Sequence, residues 1–115
     1  MSALSKFVSL HPYFKAHPGK LETIKKSFAE FQRKTATEEK HLFYEFTVNG
    51  DEFFCREAYT DAEGLLRHIE NIGELLKQTL TMADLVRIEV HGPPGELAKL
   101  KQPLAHLKPA WFEIA

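Results

Sequence analysis

The chain has 115 residues, 43% hydrophobic and 27% charged, and fifteen basic against sixteen acidic side chains leave a net charge of -1. That length suits one domain over residues 1–115 with a single core, and the composition excludes a disordered chain. No Lys/Arg run stands clear of compensating acids, so neither nucleic acid nor a membrane surface is an expected partner.

The start, "MSALSKFVSLHPYF", lacks an apolar core long enough for a signal peptide, and nothing approaches the roughly eighteen apolar residues of a spanning helix. A cytoplasmic location is the expectation. Phe7 to Phe14 is rich in β-branched and aromatic residues and reads as a strand, with Pro12 pointing to an edge, a bulge or an early end. "HPGK" stops it, and Pro18 sits where a helix can begin. Leu21, Ile24, Phe28 and Phe31 then recur at helical spacing, which predicts an amphipathic helix of about four to five turns.

"HLFYEFTVNGDEFFCREAY" holds the clearest turn signal, Asn49-Gly50, because a type I′ hairpin needs positive φ at both central residues. A two-residue loop there pairs Phe46 with Phe53, Tyr44 with Cys55, Glu45 with Phe54 and Phe43 with Arg56. Cys55 is the one cysteine, which rules out an internal disulfide and a thiolate-rich zinc site; it reads as a small core hydrophobe.

In "EAYTDAEGLLRHIENIG", Thr60 followed by Glu63 is a capping-box pattern that ends a strand near Tyr59 and opens a helix. Leu65, Leu66, Ile69, Ile72 and Leu76 form its apolar stripe, with His68 at the border, facing either solvent or a cavity. "DLVRIEVHG" alternates Val86, Ile88 and Val90 against Arg87, Glu89 and His91 and predicts a strand with one apolar face. Leu97, Leu100, Leu104 and Leu107 follow at helical intervals, kinked or divided by Pro103, and "WFEI" is a last short strand.

The order is β-α-β-β-α-β with a short helix and strand appended: an α+β, ferredoxin-like split pattern with both helices on one face of an antiparallel sheet. The other face carries large aromatic residues, and a second copy of the protein is the economical cover for it.

The chain from Phe14 to Ile114 resembles the antibiotic-biosynthesis-monooxygenase family of dimeric α+β barrels, which includes quinol monooxygenases and haem-degrading members. The resemblance rests on "FKAHPGKLETIKKSFAEF", "HLFYEF" and above all "CREAYTDAEGLLRH". There a strand ends in a carboxylate, a skipped position and an aromatic, and an Asp opens a helix carrying a Leu and a His: Glu57, Tyr59, Asp61, Leu65 and His68. Tyr59 stands where the family often has Trp, and no Asn precedes Asn49, whereas the haem-degrading branch relies on one in or near its first strand.

The resemblance implies a homodimer whose subunits each hold a pocket between sheet and helices. It also implies oxidation of an electron-rich aromatic such as a quinol by dioxygen, with no cofactor. Such chemistry needs a base, a donor that steadies negative charge and an apolar enclosure. His68 is the expected base, Tyr59 the donor and Glu57 the group that orients them, with Tyr44, Phe46, Phe53 and His11 around a small aromatic substrate. Each has a plainer reading: Glu57 as an ion-pair partner, Tyr59 and the other aromatics as core or dimer packing, and His68 as a satisfied helix histidine. Arg56, His91 and Trp111 carry weaker signals. The six His are scattered with no H-x-x-x-H pair, so no metal is expected. The alternative function is a non-catalytic dimeric small-molecule-binding or stress-response module on the same barrel. A filled core beside His68 would favour that module, and an accessible cavity an enzyme.

Overall fold

The computed structural model describes residues 6–115. Five strands, β1 (Val8–Ala16), β2 (His41–Asn49), β3 (Glu52–Tyr59), β4 (Ala83–Gly92) and β5 (Ala110–Glu113), form one sheet in the order β2-β3-β1-β4-β5. Helices α1 (Leu21–Thr35), α2 (Ala62–Asn71), α3 (Gly73–Thr79) and α4 (Pro94–Ala98) complete the described elements, with a 3₁₀ turn at Ala105–Leu107. The first four strands pair antiparallel in ferredoxin-like order, and β5 joins the β4 edge in parallel.

Alternation along β1 buries Val8, Leu10, Pro12, Phe14 and Ala16. Pro12 does not mark an edge, because β1 lies between β3 and β4. Its missing N–H is accommodated locally: pairing with β3 runs from Val8↔Tyr59 to Leu10↔Glu57 and resumes at Tyr13↔Phe54. On the β4 side the register shifts between Tyr13 and Phe14, whose partners are Arg87 and Leu85. Val86 is the extra residue of that bulge and is 57% exposed, so the expected apolar face of β4 consists of Leu85, Ile88 and Val90 instead.

The β2–β3 hairpin forms with Asn49 paired to Glu52 and Gly50-Asp51 as the loop, one residue later than expected. Gly50 alone takes positive φ there (62°), the pattern of a type II′ turn. Phe46 therefore pairs with Cys55 and Tyr44 with Glu57, an offset of two from the sequence-based pairing. A shift of two leaves every side chain on its expected face, so the inward positions survive although the partners change.

The expected long second helix is two helices that break at Ile72 (φ −99°, ψ 8°). Its cap is Asp61, not Thr60: the side chain accepts from Gly64 N at 2.9 Å, and Glu63 instead reaches Arg67 at 3.4 Å and Lys40 at 3.6 Å. Pro103 divides the C-terminal segment as expected, yet Leu97, Leu100 and Leu104 are all at most 1% exposed. The core forms two clusters between sheet and helices, one around Val8, Leu65, Val90 and Leu100 and the other around Phe14, Ile24 and Phe53.

Candidate active site

Alternation on β3 turns Phe53, Cys55, Glu57 and Tyr59 toward the helices and Phe54 and Arg56 away. Beyond Tyr59 the chain enters α2 through a tightly held junction. Asp61 caps Gly64 N and pairs with Lys40 Nζ at 2.9 Å, while Glu96 Oε1 accepts from Ala62 N at 2.9 Å. Gly64 allows the close approach: a Cβ there would lie 2.8 Å from the Cβ of Lys40 and 3.3 Å from that of Tyr59. The start of α2 is thus fixed on β3, and about two turns later His68 enters the interior at 1% exposure.

A row of ionisable groups results. Tyr59 Oη donates to Glu57 Oε1 at 2.6 Å, and His68 Nε2 lies 3.4 Å from the same oxygen. The other ring nitrogen of His68, Nδ1, contacts Glu38 at 2.9 and 3.1 Å. Asn71 Nδ2 donates to Glu38 Oε2 at 2.8 Å and to the carbonyl of Lys34 at 3.0 Å, tying the end of α2 to the segment after α1. A carboxyl–imidazole–carboxylate chain therefore runs from the core outward to Glu38, whose side chain is 9% exposed. Among the described residues no buried side-chain polar atom lacks a hydrogen-bond partner.

Burial dominates the electrostatics. Removal from water pushes the Glu57 carboxyl up from the usual carboxylate range, against the lowering pull of His68 and of the Tyr59 hydroxyl. Burial also raises Tyr59, Tyr44 and Cys55, each reinforced by the Glu57 charge. The phenols stay protonated donors, and the Cys55 thiol is an unreactive core group, as the sequence suggests.

Beside this row lies an apolar cavity, lined by Leu10, Pro12, Phe14, Phe28, Phe31, Tyr44, Phe46, Phe53, Cys55, Glu57, His68, Ile69, Ile72, Leu76, Thr79, Leu85, Ile88 and Leu107. Phe28 stacks on Phe46 at 4.0 Å and Phe14 on Phe53 at 4.8 Å, while the Tyr44 ring lies 5.0 Å from His68. The free space is about 50 Å³, room for a few waters, against the ~300–1,000 Å³ of a typical ligand pocket. A ring-sized molecule must spread these walls as it enters.

The structure brings Glu57, Tyr59 and His68 together, with Tyr44, Phe46 and Phe53 in the cavity wall. His11 is not with them: it projects from the opposite face of the sheet, next to His91 and Phe54. Glu38 and Asn71 escaped sequence reasoning. Glu38 sits after α1, thirty residues from His68, where no local pattern points to it; Asn71 lies three residues beyond His68 on α2, the one spacing that hints at a shared face.

No protein-family model matches the sequence, and no match is found among curated proteins. Solved structures do match. MupZ from Pseudomonas fluorescens superposes with a TM-score of 0.92 and is 44% identical over 96% of this chain and 91% of MupZ. The chain belongs to the MupZ family. An antibiotic biosynthesis monooxygenase matches with a TM-score of 0.63 at 18% identity, over 72% of this chain and 92% of that one. A conserved protein from Methanosarcina mazei Go1 gives 0.71 at 16% identity, over 76% and 93%. At those identities the likeness is one of fold, and the fold is that of the antibiotic-biosynthesis-monooxygenase-like proteins.

Proposed function

We propose that the protein is a cofactor-independent enzyme in which Glu57 and His68 transfer a proton to or from an apolar, oxygen-bearing small molecule held between sheet and helices. The observation that carries this is the buried row Glu57–His68–Glu38 opening on an otherwise apolar cavity. A core needs no such row. Burying three ionisable groups costs several kcal/mol unless they are mutually satisfied, and perturbed groups beside a cavity mark sites of proton chemistry. Space beside His68 with polar atoms on its wall supports an enzyme over a packing module.

Glu57 lines the cavity with its Oε1 shared between Tyr59 and His68 and with the Cys55 thiol as a further hydrogen-bonding neighbour, so a bound molecule meets a carboxyl held in place from three sides. His68 links Glu57 to Glu38, so a proton gained or lost at the cavity has a route toward the surface. Tyr44, on the cavity wall, is a neutral donor for a substrate oxygen, while Tyr59 spends its hydroxyl hydrogen on Glu57 and holds that carboxyl in place; the Phe walls exclude water, which strengthens each of these contacts.

Two reactions use this machinery. In the monooxygenase reading, the relay deprotonates a quinol or related electron-rich aromatic, and the anion reduces dioxygen directly. The antibiotic biosynthesis monooxygenase among the similar folds supports it, as does a Bacteroides thetaiotaomicron neighbour described as a possible oxidoreductase. The raised Glu57 favours a second reading. A carboxyl held toward its protonated form is an acid, suited to protonating an ether, hydroxyl or carbonyl oxygen so that the substrate opens or isomerises without dioxygen. A homodimer formed through the open sheet face is part of the proposal for either reaction, checked by light scattering on the eluted protein.

Oxygen uptake over hydroquinones and anthrones, with autoxidation subtracted, is measured alongside anaerobic turnover of oxygen-bearing apolar compounds followed by mass spectrometry. Uptake lost in His68→Ala establishes the monooxygenase; anaerobic turnover lost in Glu57→Gln establishes the acid-assisted reaction. We expect the responsive activity to fall about 10²–10⁴-fold, the usual contribution of a positioned acid or base. Folded wild-type protein that binds such compounds yet gives neither activity overturns both and returns the binding module.

A further inference from the structure

The sheet face turned away from the helices carries a cluster that the cavity does not use. His11 on β1 pairs across the sheet with Glu89 on β4, and His91 follows two residues later on the same face of β4. One nitrogen from each imidazole and one oxygen of Glu89 lie within 4.8 Å of one another, at intermediate burial. We propose that His11, Glu89 and His91 form a binding site for a divalent transition-metal ion of the zinc class.

The chemistry fits. Two imidazoles and one carboxylate are a three-ligand set that leaves a further position for water, and borderline N/O donors of this kind suit zinc, cobalt or nickel better than magnesium or calcium. Ligand atoms around a tetrahedral zinc stand roughly 3.4 Å apart, given bonds of about 2.0–2.2 Å. The side chains must therefore close by on the order of an ångström, within reach of small χ rotations because all three sit on paired strands. An ion takes the place of the proton shared between His91 Nε2 and Glu89 Oε1, now 3.0 Å apart, and the imidazole keeps its hydrogen on Nδ1.

The surroundings already orient the donors. Arg87 Nε donates to Glu89 Oε2, leaving Oε1 to the ion. Ser9 Oγ is 2.8 Å from His11 Nε2, which directs Nδ1 as the nitrogen free to ligate. Phe112 stacks on the His91 ring at 4.5 Å and Phe54 lies 6.1 Å from that of His11, an apolar collar that limits water. The plainer role of these residues is a hydrogen-bonded surface network. What distinguishes the two is saturable metal affinity that depends on both histidines.

The test is calorimetric titration of the chelator-stripped full chain with zinc chloride, paralleled by cobalt chloride titration monitored by visible absorption. The expected result is one ion per chain, with affinity at least tenfold weaker in His11→Gln and in His91→Gln and unchanged in His106→Gln. Each variant is checked for wild-type circular dichroism, and glutamine retains size and hydrogen bonding at both positions. No saturable binding by the folded wild type overturns the site. So does binding that persists in the His11→Gln/His91→Gln double variant, which would place the ion elsewhere. Neither measurement depends on the cavity reaction.

Discussion

Neighbouring residues of β3 live in opposite electrostatic worlds. Glu57 is 4% exposed and shares its Oε1 with Tyr59 and His68, whereas Arg56 reaches Glu45 at 3.7 Å with both side chains more than 60% exposed. Inside, each charge-bearing group depends on specific partners, because low dielectric makes an unmet charge costly. Outside, water and salt do most of that work, and ion pairs contribute little. The same strand therefore hosts chemistry on one face and exchangeable contacts on the other.

The largest effect that tests this contrast is truncation of the packing that walls the inner face. Leu65→Ala, at a fully buried position one turn before His68, should destabilise the protein by about 2–5 kcal/mol in denaturant unfolding. A loss below about 1 kcal/mol would mean that the inner face is loosely packed and the contrast overstated.

Next comes the cost of the buried carboxyl. Its folded pKa is raised above the unfolded value, so the stability linked to its protonated form is present below the unfolded pKa and is lost as pH rises through the folded one. Melting temperatures of the wild type should therefore fall more between about pH 5 and pH 8 than those of Glu57→Gln. Parallel curves would show that Glu57 is charged in the folded state across that range. Asp61, at the rim, has the opposite sign: Lys40 holds its carboxyl below the usual range, so its contribution is present above the unfolded pKa and lost as pH falls through the folded one.

Asp61→Ala removes the cap of α2 and should cost about 1 kcal/mol. It should also loosen the seating of His68, read as faster amide exchange along α2. The smallest effect belongs to the open face. Arg56→Ala should change the stability of the isolated chain by no more than ~0.5 kcal/mol, and a larger loss that depends on protein concentration is the sign that the proposed second copy covers this face.

Where sequence reading succeeded, local chemistry was sufficient. The period-2 pattern of "EFFCREAY" put Glu57 and Tyr59 on one face, and the 3.6-residue stripe around Leu65 placed His68 beside the core. Where it failed, several local solutions competed. Thr60 and Asp61 are both good caps, and contact with Lys40 and the packing at Gly64 selected the second. Asn49-Gly50 and Gly50-Asp51 are both plausible turns, and the register of the whole hairpin chose between them. Pro12 signalled an edge, a bulge or an early end, and the pairing of β1 with both β3 and β4, distant in sequence, left the bulge beside it as the outcome.

By itself the sequence determined the element order, the faces of β3 and α2 and the neighbourhood of Glu57, Tyr59 and His68, because side-chain periodicity and the short Tyr59–Asp61 link are local constraints. Only the tertiary structure decided that Glu38 completes the row, that His11 belongs to the open face with Glu89 and His91, and that the cavity is a narrow one. Those outcomes depend on which segments, separated by up to eighty residues, come into contact when the sheet closes and the helices cover it.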